Sequence, residues 1–308
     1  MPELPEVEYT ARQLRASIVG ATISHIHVFW ERTVSHPELG TFLMEVSERR
    51  IEGVRRRGKF LLLDLSGDLF LSIHRRMTGN FLLLPAGWSI DTSLRTSDAV
   101  TWNMRGPTFL LENGTENSYS QKLQYCRICF DFSDGRRLLF TDPRKFGRIE
   151  LWPYDCEAEA LRELGPEPFG PTFTVEYLAG ELERRRTGIK QALLDQTMVA
   201  GVGNIYADEA LYYAGIHPLR RSDSLTLPEI RLLHEGIITV LTLGIEHGGT
   251  SFNDYRDLWG EAGDNYNHVQ VYKQSGKPCL RCGTLIERMV IAQRSAHFCP
   301  GCQKLISV

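Results

Sequence analysis

Two short stretches of this 308-residue chain combine residue types and spacings that can do chemistry. Near the C-terminus, Cys279, Cys282, Cys299 and Cys302 form C-x2-C-x16-C-x2-C, the spacing of a four-thiolate zinc site. Two knuckles around one tetrahedral ion can stand in for a core that about 30 residues cannot supply. One Zn2+ is therefore expected, and a structural one, because four cysteines leave no position for water. His297 lies near Cys299 and could compete as a ligand, but the cysteine set is already complete. At the other end stand Pro2 and Glu3. Removal of Met1 would leave a secondary amine on Pro2, with an ordinary pKa of roughly 7.7–8.0 that nearby cations would lower. Such an amine can attack a sugar anomeric carbon and form an iminium, with the Glu3 carboxylate as general acid or base. The same residues would also simply start a helix, since proline suits the first turn and Val7, Ala11, Leu14 and Ile18 follow at helical spacing.

The elements that must position these groups belong to an ordinary globular chain, 42% hydrophobic and 24% charged. No apolar run is long enough to span a membrane and no signal peptide is evident, so a cytoplasmic location is expected. The net charge of −3 does not announce a nucleic-acid binder, but its distribution is uneven. Residues 150–183 hold nine acids against Arg162, whereas 273–308 hold six bases against Glu287. Basic clusters at 55–59, 75–76, 144–148 and 184–190 flank glycine and aromatic residues, as in a groove that tracks phosphates.

Taken in order, strands are expected near 21–30, 42–47, 51–56, 60–65 and 69–74, with Lys59 after Gly58 at the mouth of a hairpin. Lys59 is either a surface lysine or a phosphate-binding cation. Residues 77–81 read as a loop carrying the flexible, apolar Met77, and 85–125 as a long loop or insertion. Residues 124–132 and 138–140 form a hairpin through Asp134-Gly135. In it Cys126 and Cys129 should face opposite sides as buried thiols. The turn Thr141–Gly147 either exposes Arg144 and Phe146 or buries the ring with the arginine in an ion pair. Residues 151–172 look like a linker, and helices dominate from about 175 to 248. Gly201 and Gly203 permit a tight turn before Asn204, which would open a helix whose N-terminus could take a phosphate. Arg294 should sit at the tip of the hairpin between the two cysteine knuckles.

Together and in this order, several stretches resemble the formamidopyrimidine-DNA glycosylase family over nearly the whole chain. They are Met1-Pro-Glu-Leu-Pro-Glu-Val-Glu8, Arg57-Gly-Lys-Phe60, Met77-Thr-Gly79, Thr141–Gly147, Gly201–Glu209 and the four-cysteine finger. The resemblance implies an α+β fold: an N-terminal β-sandwich with flanking helices, a helix–two-turn–helix domain and a C-terminal zinc-finger β-hairpin. The expected division is 1–150, a linker at 151–172, 173–272 and 273–308, with DNA between the domains. It further implies that a damaged nucleotide is flipped out, that Pro2 attacks its anomeric carbon with Glu3 as acid/base, and that β,δ-elimination follows. Lys59 would hold a phosphate, Met77, Arg144 and Phe146 would fill the gap, and Asn204 and Arg294 would grip the backbone. The implied enzyme is a monomeric, nucleoid-associated glycosylase and abasic-site lyase for oxidised purines in double-stranded DNA, with no membrane partner. Departures from the family pattern are the 85–125 stretch, Arg75 where an apolar residue is usual, Lys145 for arginine, and Leu258-Trp259 in a region that contacts the flipped base. Alternatives are an endonuclease VIII-like preference for oxidised pyrimidines, a non-catalytic DNA-binding paralogue, or a zinc module for protein contacts.

Overall fold

The computed structural model describes residues 1–91, 108–111, 125–161, 164–252 and 254–305, with only the backbone for 88–91 and 108–111. Helix α1 (Leu4–Ile18) places Val7, Ala11, Leu14 and Ile18 on one buried face, as their spacing requires. Strands β1 (Ile23–Val28) and β2 (Val34–His36) precede helix α2 (Leu39–Val46). The strand expected at 42–47 is thus a helix. Its reason is local: Glu38 caps it by accepting from the Thr41 amide at 3.1 Å, and Phe42 and Val46, one turn apart, are both buried.

The expected strands at 51–74 form as β3 (Ile51–Arg57), β4 (Phe60–Leu65) and β5 (Leu69–His74). Strand β6 (Asn80–Leu84) takes over the end of the expected 77–81 loop. Within 85–125, β7 (Trp88–Asp91) and β8 (Thr108–Leu111) pair antiparallel, and 92–107 and 112–124 of that expected insertion lie outside the described residues. Strands β9 (Cys126–Phe132), β10 (Arg137–Thr141) and β11 (Arg148–Pro153) complete two sheets, ordered β1-β9-β10-β6 and β2-β11-β5-β4-β3. Ile128, Phe130 and Phe140 of the first and Leu61, Leu63 and Ile73 of the second share one buried core, so the sheets form a sandwich.

Two expectations fail here for identifiable reasons. On β10, Phe140 pairs with Ile128 and Thr141 with Cys126, so Arg127 is an extra residue, a bulge that resets the alternation. Cys126 and Cys129 therefore fall in one cluster with Leu82, Leu84 and Leu139 instead of facing opposite ways. Burial pushes both thiols up, so they are poor metal ligands. The expected linker also begins too early: β11 pairs with β5 as far as Pro153, and a short helix α3 (Glu157–Ala160) follows.

By contacts the chain forms two compact units. The first contains residues 1–2, 6–161 and also 251–263, the last of which the expected 173–272 division had placed with the helices. The second contains 3–5, 162–250 and 264–308. In it are α4 (Val175–Glu183), α5 (Ile189–Leu193), α6 (Asn204–Ala214), α7 (Leu227–Glu246) and the hairpin β12 (Glu287–Ile291)–β13 (Arg294–Phe298). Among the described residues no helix is long and apolar enough to cross a membrane.

Candidate functional site

Glu3 is 3% exposed, and its carboxylate accepts from the amides of Ile205 at 3.0 Å and Tyr206 at 3.4 Å. These are first-turn donors of α6, where orphan N–H groups and the helix dipole favour an anion. The helix end expected to await a phosphate thus already holds a carboxylate. The two glycines before it make this possible. A Cβ on Gly203 would lie 2.2 Å from Glu3 Cδ, and one on Gly201 (φ +90°) 2.6 Å from Leu4. The Leu4 amide donates to the Gly201 carbonyl at 3.0 Å, which fixes the register of the docked terminal segment. Pro2, next in the chain, is buried. Asn204 is the first residue of α6, and its buried Oδ1 finds no partner among the described residues.

In the first unit, Lys59 follows Gly58 (φ +55°) in the β3–β4 turn and is only 6% exposed, so it is no surface lysine. Phe60 pairs with His74 across the β4–β5 hairpin, which brings that histidine beside Lys59. Burial, reinforced by the charges of Arg76 and Lys59, pushes His74 down to about 3. Its Nδ1 accepts from the Arg76 amide at 3.0 Å, so the proton of this neutral ring sits on Nε2. Sequence reasoning passed over His74. The signal was there, because reflection about the Ser66–Asp68 turn places residue 74 opposite residue 60.

Met77 and Arg144 come from different turns and meet, with Arg144 Nη1 3.3 Å from Met77 Sδ. Phe146 is 52% exposed, so the alternative with a buried ring and an ion-paired arginine is not what forms. Buried Asp142 ties the turns together. It accepts from Thr78 Oγ1, from the Arg144 amide at 3.2 Å and from the Gly147 amide at 2.7 Å. Lys145 stacks over Trp30, its Nζ 4.0 Å from the ring centre.

The four cysteine sulfurs lie within 4.8 Å of one another. Cys279 and Cys302 are 3.8 Å apart and Cys282 and Cys299 3.4 Å, against about 3.8 Å for tetrahedral ligands at a zinc–sulfur distance of roughly 2.3 Å. The set fits a single structural zinc. Burial disfavours the Cys279 thiolate, but hydrogen bonds from Tyr212 and the Arg281 and Cys282 amides outweigh it and hold the thiol down at about 6. His297 is not a competing ligand: its Nδ1 lies 3.1 Å from Asp208, which also pairs with fully buried Lys190 at 2.6 Å. A second group, His247, Asp264 and His268, does not suit an ion. Its imidazoles stack face to face at 3.6 Å and 12°, so their in-plane lone pairs cannot converge on one centre. Arg294 begins β13 directly after the Ala292–Gln293 turn and is exposed.

Three family models match: a formamidopyrimidine-DNA glycosylase N-terminal domain over residues 1–149, the H2TH domain of that glycosylase over 164–256, and a zinc finger found in FPG and IleRS over 276–305. Formamidopyrimidine-DNA glycosylase of Herpetosiphon aurantiacus is 41% identical, covering 98% of this chain and 100% of the relative. That of Synechocystis is 40% identical, covering 98% of each. Among solved structures, a Lactococcus lactis FPG mutant with Fapy-dG-containing DNA has a TM-score of 0.82 at 34% identity, covering 99% of this chain and 100% of that one. The wild-type L. lactis protein with oxidised-pyrimidine-containing DNA has a TM-score of 0.81 at the same identity and coverage.

Proposed function

The chain belongs to the formamidopyrimidine-DNA glycosylase family, as a base-excision-repair DNA glycosylase that binds damaged double-stranded DNA, and from that premise we propose its lesion class, its nucleophile and its second activity. The substrate is an oxidised purine, a formamidopyrimidine or 8-oxoguanine. After loss of Met1, the Pro2 nitrogen lone pair attacks C1′ of the flipped nucleotide. The glycosidic bond breaks, and its electron pair leaves with the base, which takes up a proton. Opening of the sugar ring gives the iminium, with Glu3 serving as acid/base at the sugar. Removal of a 2′ proton then expels the 3′ phosphate, and a second elimination expels the 5′ phosphate, so the enzyme is also an abasic-site lyase.

What supports this reading above all is the placing of Glu3: a buried carboxylate, one residue from Pro2, anchored by the amides of α6. Lys59 and the Nε2–H of His74 are suited to holding a phosphate beside the sugar. Met77, Arg144 and Phe146 are suited to filling the gap left by the flipped base, as apolar wedges and arginine do in bent DNA. Asn204, whose amide can turn to present its N–H2 in place of Oδ1, and Arg294 are suited to backbone phosphates. The protein acts as a monomer in the cytoplasm, at the nucleoid.

Borohydride trapping on duplexes carrying 8-oxoguanine, an oxidised pyrimidine or an abasic site tests the reading. A covalent adduct with the 8-oxoguanine duplex that is lost or weakened in Pro2→Gly, which keeps only a primary amine, is expected. Absence of an adduct with every duplex, from protein shown by mass to lack Met1, sinks the Pro2 mechanism. A second reading, oxidised pyrimidines, draws on the L. lactis complex with such DNA. Preferential trapping on the pyrimidine duplex would favour it.

A further inference from the structure

Arg75 is fully buried. Its hydrogen-bond partners are two carbonyls, a hydroxyl and an amide oxygen. Nε donates to the Gly79 carbonyl at 2.8 Å, Nη1 to Thr10 Oγ1 at 2.8 Å and to the Glu6 carbonyl at 3.5 Å, and Nη2 to Asn80 Oδ1 at 2.6 Å. A guanidinium taken out of water without a hydrogen-bonded carboxylate is costly, so stability alone is a poor reason for it. What the arginine does is orient Asn80. The same Oδ1 accepts from the Arg256 amide at 3.1 Å, while Asn80 Nδ2 donates to the Asp254 carbonyl at 2.7 Å. Tyr255, between those two residues, packs its ring 5.3 Å from the Arg75 guanidinium.

Further along, the segment is anchored a second time. Gln13 donates to Asp257 and accepts from the Leu258 amide, both at 2.9 Å. The Leu258 carbonyl accepts from Leu83 on the open edge of β6 at 3.1 Å, and its side chain is fully buried. Residues 254–258 are thereby held as one wall of a cavity of about 230 Å³ within the first unit. Thr78 and Pro143, the neighbours of Met77 and Arg144, line it, together with Tyr125, Asn80, Asp254 and Arg256. An enzyme that cuts a base from its sugar must lodge that base outside the stack and hydrogen-bond its edge. This cavity offers amide, hydroxyl, carboxylate and guanidinium groups beside an aromatic ring.

We propose that Arg75 and Asn80 are positioning residues for base excision, holding 254–258 as the wall against which the excised base is placed. The inference rests on the glycosylase and lyase reading above, because an abasic substrate has no base to place and should not need the wall. The test compares full-length wild type, Asn80→Ala and Arg75→Met under single turnover at saturating enzyme. The duplexes carry 8-oxoguanine, an oxidised pyrimidine or an abasic site. Base excision, read as strand scission after hot alkali, is expected to fall about 10- to 100-fold for whichever lesion the wild type prefers. Abasic-site cleavage and trapping should stay within about twofold, which also reports that the variants fold. An equal fall in both reactions, or no fall in excision, overturns the proposal. Should wild type excise bases without ever trapping, the Pro2 mechanism fails, and the excision measurements on Asn80→Ala still decide the role of the wall. Arg75→Met guards against an effect of Asn80 alone.

Discussion

The finger and the sandwich hold functional groups in place by opposite means. In the finger, four sulfurs around one ion replace a core, while Leu280, Leu285 and Val290 stay 77%, 57% and 65% exposed. In the sandwich, a continuous apolar core carries the load, and buried polar residues such as Arg75, Arg127 and Asp142 hold the turns above it. One region depends on a bound ion for its shape; the other uses hydrogen bonds to refine a shape that packing already provides. Losing a part should therefore be all-or-none in the first and graded in the second.

The largest expected effect follows from that contrast. Chelation of zinc, or Cys279→Ser, should unfold β12–β13 outright, since structural zinc contributes about 10–16 kcal/mol in isolated fingers. Hydrogen exchange should then show loss of protection at 287–298 with the sandwich strands unchanged, and DNA affinity should drop with Arg294 no longer held. A metal-free protein that keeps protection in the hairpin would mean its small core suffices, and the contrast would collapse.

A smaller, graded effect is expected where no side chain is allowed. Gly203→Ala puts a methyl 2.2 Å from Glu3 Cδ and must displace the carboxylate from α6. Excision should slow roughly 100- to 1,000-fold, the range for a misplaced general acid/base, with thermal stability changed far less. Unaltered kinetics would show that Glu3 acts from elsewhere or does not act.

These two cases also mark what the sequence made legible. The zinc site is written in local spacing, and the pairing of thiols needs no knowledge of the rest of the chain. Hairpins such as β4–β5 follow from alternation about a turn, and so in principle did the meeting of Lys59 with His74. The docking of Glu3 on residues 205 and 206 spans some two hundred positions and leaves no periodic trace; Gly203 hinted only at a tight turn. The bulge at Arg127 is a one-residue slip that inverts every inference from alternation, and it cannot be counted from residue types. The clamp of Arg75 and Asn80 was equally hidden, because a basic pair in a sequence reads as surface charge until its burial is seen.

His74 supplies the finest probe of the graded region, because it is buried uncharged. Its folded pKa, about 3, lies below its unfolded value near 6.5, so the unfolded chain binds the extra proton as pH falls through 6.5. Stability from this residue is therefore complete above pH 6.5 and is lost progressively toward 3. Between pH 6.5 and 4.5 the loss should be roughly 2–3 kcal/mol, at about 1.4 kcal/mol per unit. Denaturant titrations of wild type and His74→Gln should consequently diverge in slope over that window, with the variant flatter, and run parallel above it. Parallel curves throughout would mean that the ring finds solvent or an anion when protonated, and that Lys59 and Arg76 do not confine it as the hairpin geometry implies.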